Sequence, residues 1–490
     1  MELNKDYLTA AERARVEALQ GLRRIFEGRH RDQFYARANT RHCYKALGPN
    51  ARNVLYITEN LAGRCSLKYA DLLFGEPLGV EAAGDSPTAA EAVERIASNS
   101  RLHERLFGAA AESSWAGSAF WQCRARGGAV VIQPIAPEHV FPAYGDDAET
   151  LASAEIKYVA TIGGVRYARV IRHLPGLIEH ELWELAAGSN EVKARADTQR
   201  LLGAPPAEPT GVGELCVVEV PNYAACGRGA SDYAGDVADL FDEVNNRISQ
   251  ISRVLDTHAD PIVQALESLF DRHGNLQASG RALATGDMTQ DAVRYVTWDA
   301  NLEQAFAALA SARDAALGQM DMAPELLGRG AGTSADSWKK FKLCASQTLA
   351  RVNRKRIHMA PAIVAAFRVA MLLENAWVLG ASYPVADVSL AWNDGLPEDE
   401  TEKMQVVTGY VGAGLMSTRR ALMEIHNDPA IVEEELAELA AEAEADLPTG
   451  FRDGMMALGD RQQATGNRQQ GAEAEATTEA QRTQSPETAP

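Results

Sequence analysis

Two neighbouring stretches carry residue types that could act on a phosphate. At about 100° per residue, Lys340, Arg351, Arg354, Lys355 and His358 fall on one side of a helix beginning at Ala335, with Phe341, Ala345, Leu349 and Val352 on the other. Guanidinium forks and ammonium groups are the usual phosphate partners, so such a stripe could touch a nucleic-acid backbone. The same pattern also describes a solvated face, or one paired with acidic residues of a neighbouring subunit. Just upstream runs Gly328-Arg329-Gly330-Ala331-Gly332-Thr333-Ser334, a loop by composition. It reads either as a mobile finger carrying Arg329 or as a connector. Its loose GxGxxA form follows a helix rather than a strand, which argues against a dinucleotide loop.

No catalytic signature accompanies these residues. The sequence lacks the GK[ST] of a phosphate-binding loop, an HExxH pair, a GxSxG elbow and an EF-hand loop. The histidines are scattered, and no paired-carboxylate constellation can be named from spacing. Cysteines 43, 65, 123, 216, 226 and 344 form no CxxC pair, which predicts reduced, mostly buried thiols and no structural zinc. The expectation is a protein without catalytic residues, metal or cofactor.

The elements that must position the basic stripe begin with Ser231–Asp256. Val237, Leu240, Phe241, Val244, Ile248, Ile251 and Leu255 recur in steps of three and four, the stripe of an amphipathic helix. Ser231 is a good N-cap, and Asp232, Asp236 and Asp239 suit the positive end of the helix dipole. Asp242, Glu243, Asn245, Asn246, Ser249 and Ser252 form the other face, which reads as wet. A second helix is expected over Leu302–Met320. Between the two, Asp260–Ala300 contains PIVQAL, a turn at His273-Gly274-Asn275 and AVRYVTW, a small mixed unit held between helical arms.

The rest of the chain supplies the body. Thr9–Phe26 reads as a helix, followed by a basic loop to about Asn50. Asn53–Leu73 reads as a helix ended by Phe74-Gly75-Glu76-Pro77, and Ala89–Asn99 and Arg101–Ala116 as two more. Ala119–Val140 is a hairpin turning at Gly127-Gly128. Ala154–Glu184 repeats the pattern around Gly163-Gly164, and Glu214–Pro221 adds a short strand. A long helix from Ala335 to about Leu379 contains Pro361, which predicts a kink. Val385–Trp392 reads as a strand. Between Glu398 and Asp446 there are thirteen acidic and three basic residues on helical patterns, and Leu447–Pro490 has the composition of a disordered tail.

The chain has 490 residues, 46% hydrophobic and 23% charged, enough for a large core and an α+β fold. No apolar run is long enough to predict a membrane span, and the polar amphipathic N-terminus reads as that of a protein made in the cytosol. A net charge of −19 argues against tight DNA binding by the body. It is compatible with a surface that DNA passes without sticking, since like charge lowers affinity for phosphate.

The order VPNYAACGRGASDY, acidic helix, insert, second helix, MAPELLGRGAGTSADSWKK and long helix resembles the portal proteins of tailed double-stranded DNA bacteriophages. In that family a strand ending in proline and asparagine, here Pro221 and Asn222, precedes a glycine-rich stretch and a Ser-Asp pair, here Ser231-Asp232, that opens a stem helix. The family's junction Ser-Gly-x-Ala-Leu-Lys stands here as Ser334-Ala335-Asp336-Ser337-Trp338-Lys339, which keeps the serine and lysine and replaces the glycine, alanine and leucine. Asn60–Pro77 and Leu396–Asp428 resemble further family segments, and the resemblance runs from about residue 45 to 445.

The resemblance implies a portal fold: an α+β wing over 1–230, a stem helix over 231–258, a clip over 259–301 and a second stem helix over 302–322. A tunnel loop over 323–334, a long kinked helix with a wing strand over 335–397, a helical crown over 398–446 and the tail over 447–490 complete it. It implies a ring of identical subunits, twelve in the particle, at one capsid vertex. Its partners would be double-stranded DNA passing without sequence preference, the terminase large subunit, capsid and scaffolding proteins and head-completion proteins, with no membrane. Other readings are a different minor head protein, or an enzyme whose site the linear sequence hides.

Overall fold

A computed structural model describes residues 2–34, 56–147, 149–225, 228–259, 262–265, 293–296, 302–329, 338–378, 380–393, 395, 400–426 and 429–445. Two compact units divide the chain, Met1–Leu396 and Pro397–Pro490. The first opens with α1 (Ala10–Phe26), whose capping box is complete: Thr9 Oγ1 accepts the Glu12 N–H, and Glu12 Oε2 accepts the Thr9 N–H. After α2 (Leu61–Phe74) and the short strand β1 (Gly79–Ala82) come α3 (Pro87–Ser100) and α4 (Leu102–Ala116).

The strands follow as the alternation requires. β2 (Ser118–Arg126), β3 (Ala129–Ile135), β4 (Val140–Tyr144), β5 (Leu151–Ile162), β6 (Val165–Leu174), β7 (Leu177–Leu185), β8 (Val192–Ala196), β9 (Ala207–Pro209) and β10 (Val217–Pro221) form two antiparallel sheets. One has the order β10-β2-β3. The other runs β4-β5-β6-β7-β8, with β9 on β7. Both two-residue hairpin turns need positive φ at two successive positions, which Gly127 and Gly128 (59° and 80°) and Gly163 and Gly164 (57° and 82°) supply.

The main core lies where the three-stranded sheet meets α2, α4 and the long helix. Tyr69, Phe74, Trp121 and Phe367 are among its largest fully buried side chains. The long helix runs unbroken from Trp338 to Trp377 with Pro361 inside, so the proline removes one hydrogen bond without ending the helix. Its stretch Phe341–Trp377 is long and apolar enough to satisfy the composition of a membrane span. Here Ile363, Ala366, Phe367, Ala370 and Met371 are buried in the protein core.

The expected helix–insert–helix unit is present: α5 (Val237–Ala259), strands β11 (Ile262–Ala265) and β12 (Val293–Val296) paired antiparallel, then α6 (Leu302–Gln319) packed against α5. The rest of the insert, including His273-Gly274-Asn275, lies outside the described residues. The long helix, α7 (Trp338–Trp377), and the strand β13 (Val388–Ala391), paired with β1, close this unit. In the second unit, α8 (Glu400–Gly412), α9 (Thr418–His426) and α10 (Pro429–Ala445) bury Val407, Ala421 and Val432. The tail over 447–490 lies outside the described residues.

Two sequence expectations about α5 are corrected. It begins at Val237, not Ser231: Gly235 turns the chain at φ 68°, and the Asp236 carbonyl accepts the first N–H groups, from Asp239 and Leu240. Nor is its polar face wet, for Asp242, Asn245, Asn246 and Ser249 are all buried. The residues facing them, 56–60, were expected to be helical. They instead run without regular structure because Asn60 caps α2, its Oδ1 accepting from the Gly63 N–H at 3.0 Å. The α5 side chains then do the work of a sheet edge. Ser249 Oγ accepts the Ile57 N–H at 2.8 Å, Asn245 Oδ1 accepts the Glu59 N–H at 2.7 Å, and Asp242 Oδ1 accepts the Tyr56 hydroxyl at 2.8 Å. A backbone N–H sealed from water has to find a partner, and these residue types supply one.

Asn245→Ala strands the Glu59 N–H, so it should lower unfolding stability by about 1–3 kcal/mol and speed amide hydrogen exchange at Glu59. Ser252→Ala on the same helix should stay within about 0.5 kcal/mol of the parent. Equal effects of the two substitutions in denaturant titrations would refute the pairing.

Candidate functional site

The side chain of Asp232 is fully buried. It is held at the C-terminal end of α4, where its N–H donates to the Ser114 carbonyl at 2.8 Å, and the Ser231 hydroxyl donates to the Trp115 carbonyl at 2.7 Å. Its carboxylate collects four donors. Oδ2 accepts from Ser114 Oγ at 2.6 Å and from Lys355 Nζ at 2.6 Å. Oδ1 accepts from Asn222 Nδ2 at 2.9 Å and from Arg351 Nη2 at 2.8 Å. Lys355 is only 2% exposed. Its ammonium also donates to Asn222 Oδ1 and sits 4.7 Å from the centre of the Tyr69 ring. Ser66 extends the network, 2.7 Å from Ser114 Oγ and 2.8 Å from the Tyr233 hydroxyl.

Burial alone would raise the Asp232 carboxyl; Lys355 and Arg351 outweigh it and hold the group at about 2. Arg351 then reaches outward to Asp321 Oδ2 at 3.3 Å, which also accepts from Arg354 Nη2 at 2.6 Å. Asp321 is fixed by Thr348, whose hydroxyl donates to the Asp321 carbonyl at 2.7 Å and accepts the Ala323 N–H at 2.9 Å. Tyr223, Asp321, Arg351 and Arg354 rim a cleft of about 260 Å³ above the buried pair.

A second knot lies at the base of the glycine-rich loop. Glu59 is paired with Arg313 of α6, Oε2 accepting from Nε at 2.9 Å, and with Arg329. Arg64 donates to the Leu327 carbonyl at 2.8 Å. Gly328 ends the short helical turn Pro324–Leu327 at φ 71°. The first cation of the loop, Arg329, is therefore tied to a residue whose backbone N–H is held on α5 and whose carboxylate is held by α6.

These contacts revise the basic stripe. Arg351 and Lys355 are spent inside the subunit on Asp232, so they do not form a phosphate-facing surface; helical spacing placed them on one side without showing what that side meets. Arg354 keeps its head 58% exposed although paired with Asp321. The ring of His358 meets Tyr223 edge-on. Gly330, Gly332, Thr333 and Ser334 lie outside the described residues, as does the side chain of Lys340. Of the acidic residues expected to line a stem helix, Asp242 of α5 is buried, Glu243 is paired with Arg247 at 2.8 Å, and Ser231 and Asp232 precede α5. Sequence reasoning missed Asn222, Ser66, Ser114, Thr348 and Asp321 as members of the site. Only Asn222, quoted beside Pro221, carried a signal.

The arrangement contains no activated nucleophile, and among the described residues no group of three His, Cys, Asp or Glu side chains could hold a metal ion. It joins helices by neutralised charge.

Asp232→Asn should destabilise the fold by about 3–5 kcal/mol, because it leaves Lys355 buried without its counter-charge. In the parent, the Asp232 carboxyl lies below its unfolded value of 3.8. Its stabilisation is therefore complete above pH 4 and is lost as pH falls towards 2, by about 2 kcal/mol. Acid titration of the variant should lack that component; an identical acid limb in both proteins would overturn the assignment.

The chain matches the family model described as "Phage portal protein, SPP1 Gp6-like" over residues 6–449. A search among curated proteins finds no match. Similar solved structures include a virion of a native gene transfer agent particle, at 14% identity and TM-score 0.41, covering 73% of this chain and 88% of that one. The neck of an empty such particle, computed with C6 symmetry, is similar at 14% identity and TM-score 0.43, covering 76% and 95%. The neck of a native particle, computed with C12 symmetry, is similar at 14% and 0.41, covering 74% and 89%. Likenesses of that size carry no argument by themselves; the family match extends over nearly all of the described residues. The chain belongs to the phage portal protein family, whose members are structural proteins, and its function is that of a portal at a capsid vertex.

Proposed function

We propose that this portal is a closed ring of identical subunits, twelve in the particle, through which double-stranded DNA is packaged and later ejected. The observation that carries this reading is the unit α5–β11/β12–α6 followed by the glycine-rich loop, with its family match. Two long helices packed on each other are joined through a paired-strand unit, and the segment that follows is anchored at Glu59 through Arg329. In a ring, residues 231–258 and 302–322 are the stem, 259–301 the clip, 323–334 the tunnel loop and 335–397 the long helix and wing strand. Residues 1–230 form the wing and 398–446 the crown.

The clip is the docking point for the terminase large subunit during packaging and for head-completion proteins afterwards; the wing meets capsid and scaffolding proteins. The protein itself hydrolyses nothing, and the partner supplies the ATP chemistry. Assembly takes place in the host cytoplasm. The charge of the chain, −19, supports non-sticking passage, because few phosphates are held at once and counterion-release affinity stays low. Arg354, whose head is 58% exposed, is the cation of the described stripe left for transient contact.

The first experiment is negative-stain electron microscopy of the purified protein. End-on rings with a central hole of DNA width, about 20 Å or more, are expected; compact particles without a hole in every condition would end the portal-ring reading. Glu59→Ala, which frees Arg313 and Arg329, should leave the ring count unchanged and lower the yield of DNA-filled particles several-fold. A normal yield would remove Glu59 from loop positioning.

A further inference from the structure

One face of the six-stranded sheet carries an arginine, Arg169, that has no ion pair among the described residues. Pairing across β5, β6 and β7 sets Arg169 opposite Tyr158 and Leu182, and Ile171 opposite Ile156 and His180. Directly paired residues and their i+2 neighbours share a face, so Arg169, Tyr158 and His180 all point the same way. Their face bounds a cavity of about 610 Å³, closed on the far side by Gln122 and Cys123 of β2 and by Leu373 and Trp377 of α7.

The polar atoms in this cavity are under-used. Arg169 Nε is sealed from solvent without a hydrogen-bond partner, and no ion pair reaches Arg169 among the described residues. His180, 7% exposed, has its Nδ1 unpartnered, while its Nε2 stands 3.7 Å from Glu208. Arg124, exposed at the mouth, adds a second guanidinium. Three residues from Arg169, on the opposite face of the same strand, Arg172 shows how this chain ordinarily treats a strand arginine: it has Glu155 at 2.7 Å and Glu179 at 2.8 Å. Arg169 is half-buried overall, but a guanidinium Nε sealed from water without a partner costs free energy, and an anion entering the cavity would remove that cost. The walls between the cations are flat or branched and apolar: Tyr158, Ile171, Ile178, Leu373 and the indole of Trp377.

We infer that this cavity is a binding site for a small monoanion carried on a flat apolar body, an aromatic carboxylate being the simplest example, with Arg169 as its charge partner. The apolar part lies against Ile178, Leu373 and Trp377, and His180 supplies the second hydrogen bond. Glu208, the one carboxylate at the site, opposes the ligand and limits its affinity.

The test is calorimetric titration of the full-length protein with sodium benzoate, with benzamide and inorganic phosphate as comparators at constant ionic strength. Saturable benzoate binding is expected, with benzamide and phosphate each weaker by about tenfold or more, since one lacks the charge and the other the apolar body. Arg169→Gln should abolish the preference for benzoate over benzamide. Glu208→Gln, which removes the opposing charge and spares Arg169, should tighten benzoate several-fold; it keeps the test informative if the arginine variant folds poorly. No saturable binding by the parent, equal binding of phosphate, an unchanged Arg169→Gln preference or weaker binding by Glu208→Gln would each overturn the assignment.

Discussion

A carboxylate that cannot reach water must be neutralised where it stands, and in this protein that constraint falls on Asp232. Its four donors come from the end of α4, the residue after β10 and two successive turns of α7. Apolar packing alone would let a long helix such as α7 slide by a turn at modest cost, since Leu, Ala and Val surfaces are interchangeable. A buried charge cluster resists this: a shift of one turn, about 5.4 Å, would take from Asp232 one of the two cations, Arg351 and Lys355, that neutralise it. The pair is weak as a source of stability, because desolvation offsets much of the attraction. Its value is positional. It sets α7 against the point where the chain enters α5.

The same logic continues along α5. Its buried face is polar over Asp242, Asn245 and Ser249 because its neighbour is an extended segment with free N–H groups, not another apolar surface. That segment carries Glu59, and Glu59 holds α6 and the base of the loop through Arg313 and Arg329. Position is thereby passed from the core ion pair to α5, from α5 to residues 56–60, and from there to α6 and the loop. Each step uses directional contacts, which transmit register more strictly than apolar ones do.

Element types were largely legible in the sequence because they are set locally. Thr9 and Glu12 mark a capping box, Gly127-Gly128 and Gly163-Gly164 mark tight turns, and the period-3.6 stripe of α5 marks a helix. The site was less legible because its members lie far apart: Ser66, Ser114, Asn222, Asp232, Asp321 and Lys355 belong to different elements. Ser231 and Asp232 have the right chemistry for a helix cap, and only the tertiary demand of Lys355 and Arg351 draws Asp232 into the core instead. Likewise Lys355 on a helical wheel looks solvated, since the wheel gives its direction and not its neighbour. Residues 56–60 stay outside the helix for a local reason: Asn60 is a better cap than interior residue.

The fate of the basic residues bears on how a channel could pass DNA. Arg313, Arg329, Arg351 and Lys355 are all consumed by Glu59 or Asp232 within one subunit. Cations neutralised in this way contribute little field beyond a Debye length, about 8 Å at physiological salt, so the remaining surface charge is set by the acidic excess. In the proposed ring this excess would be repeated around the bore, and a polyanion inside would be repelled from every side at once. Grip would then be confined to the few cations left exposed, such as Arg354, whose own contact with Asp321 weakens it further. In the proposed ring, low friction would follow from the same ion pairs that fix the helices, because the charges that hold the fold together would be those withheld from the DNA.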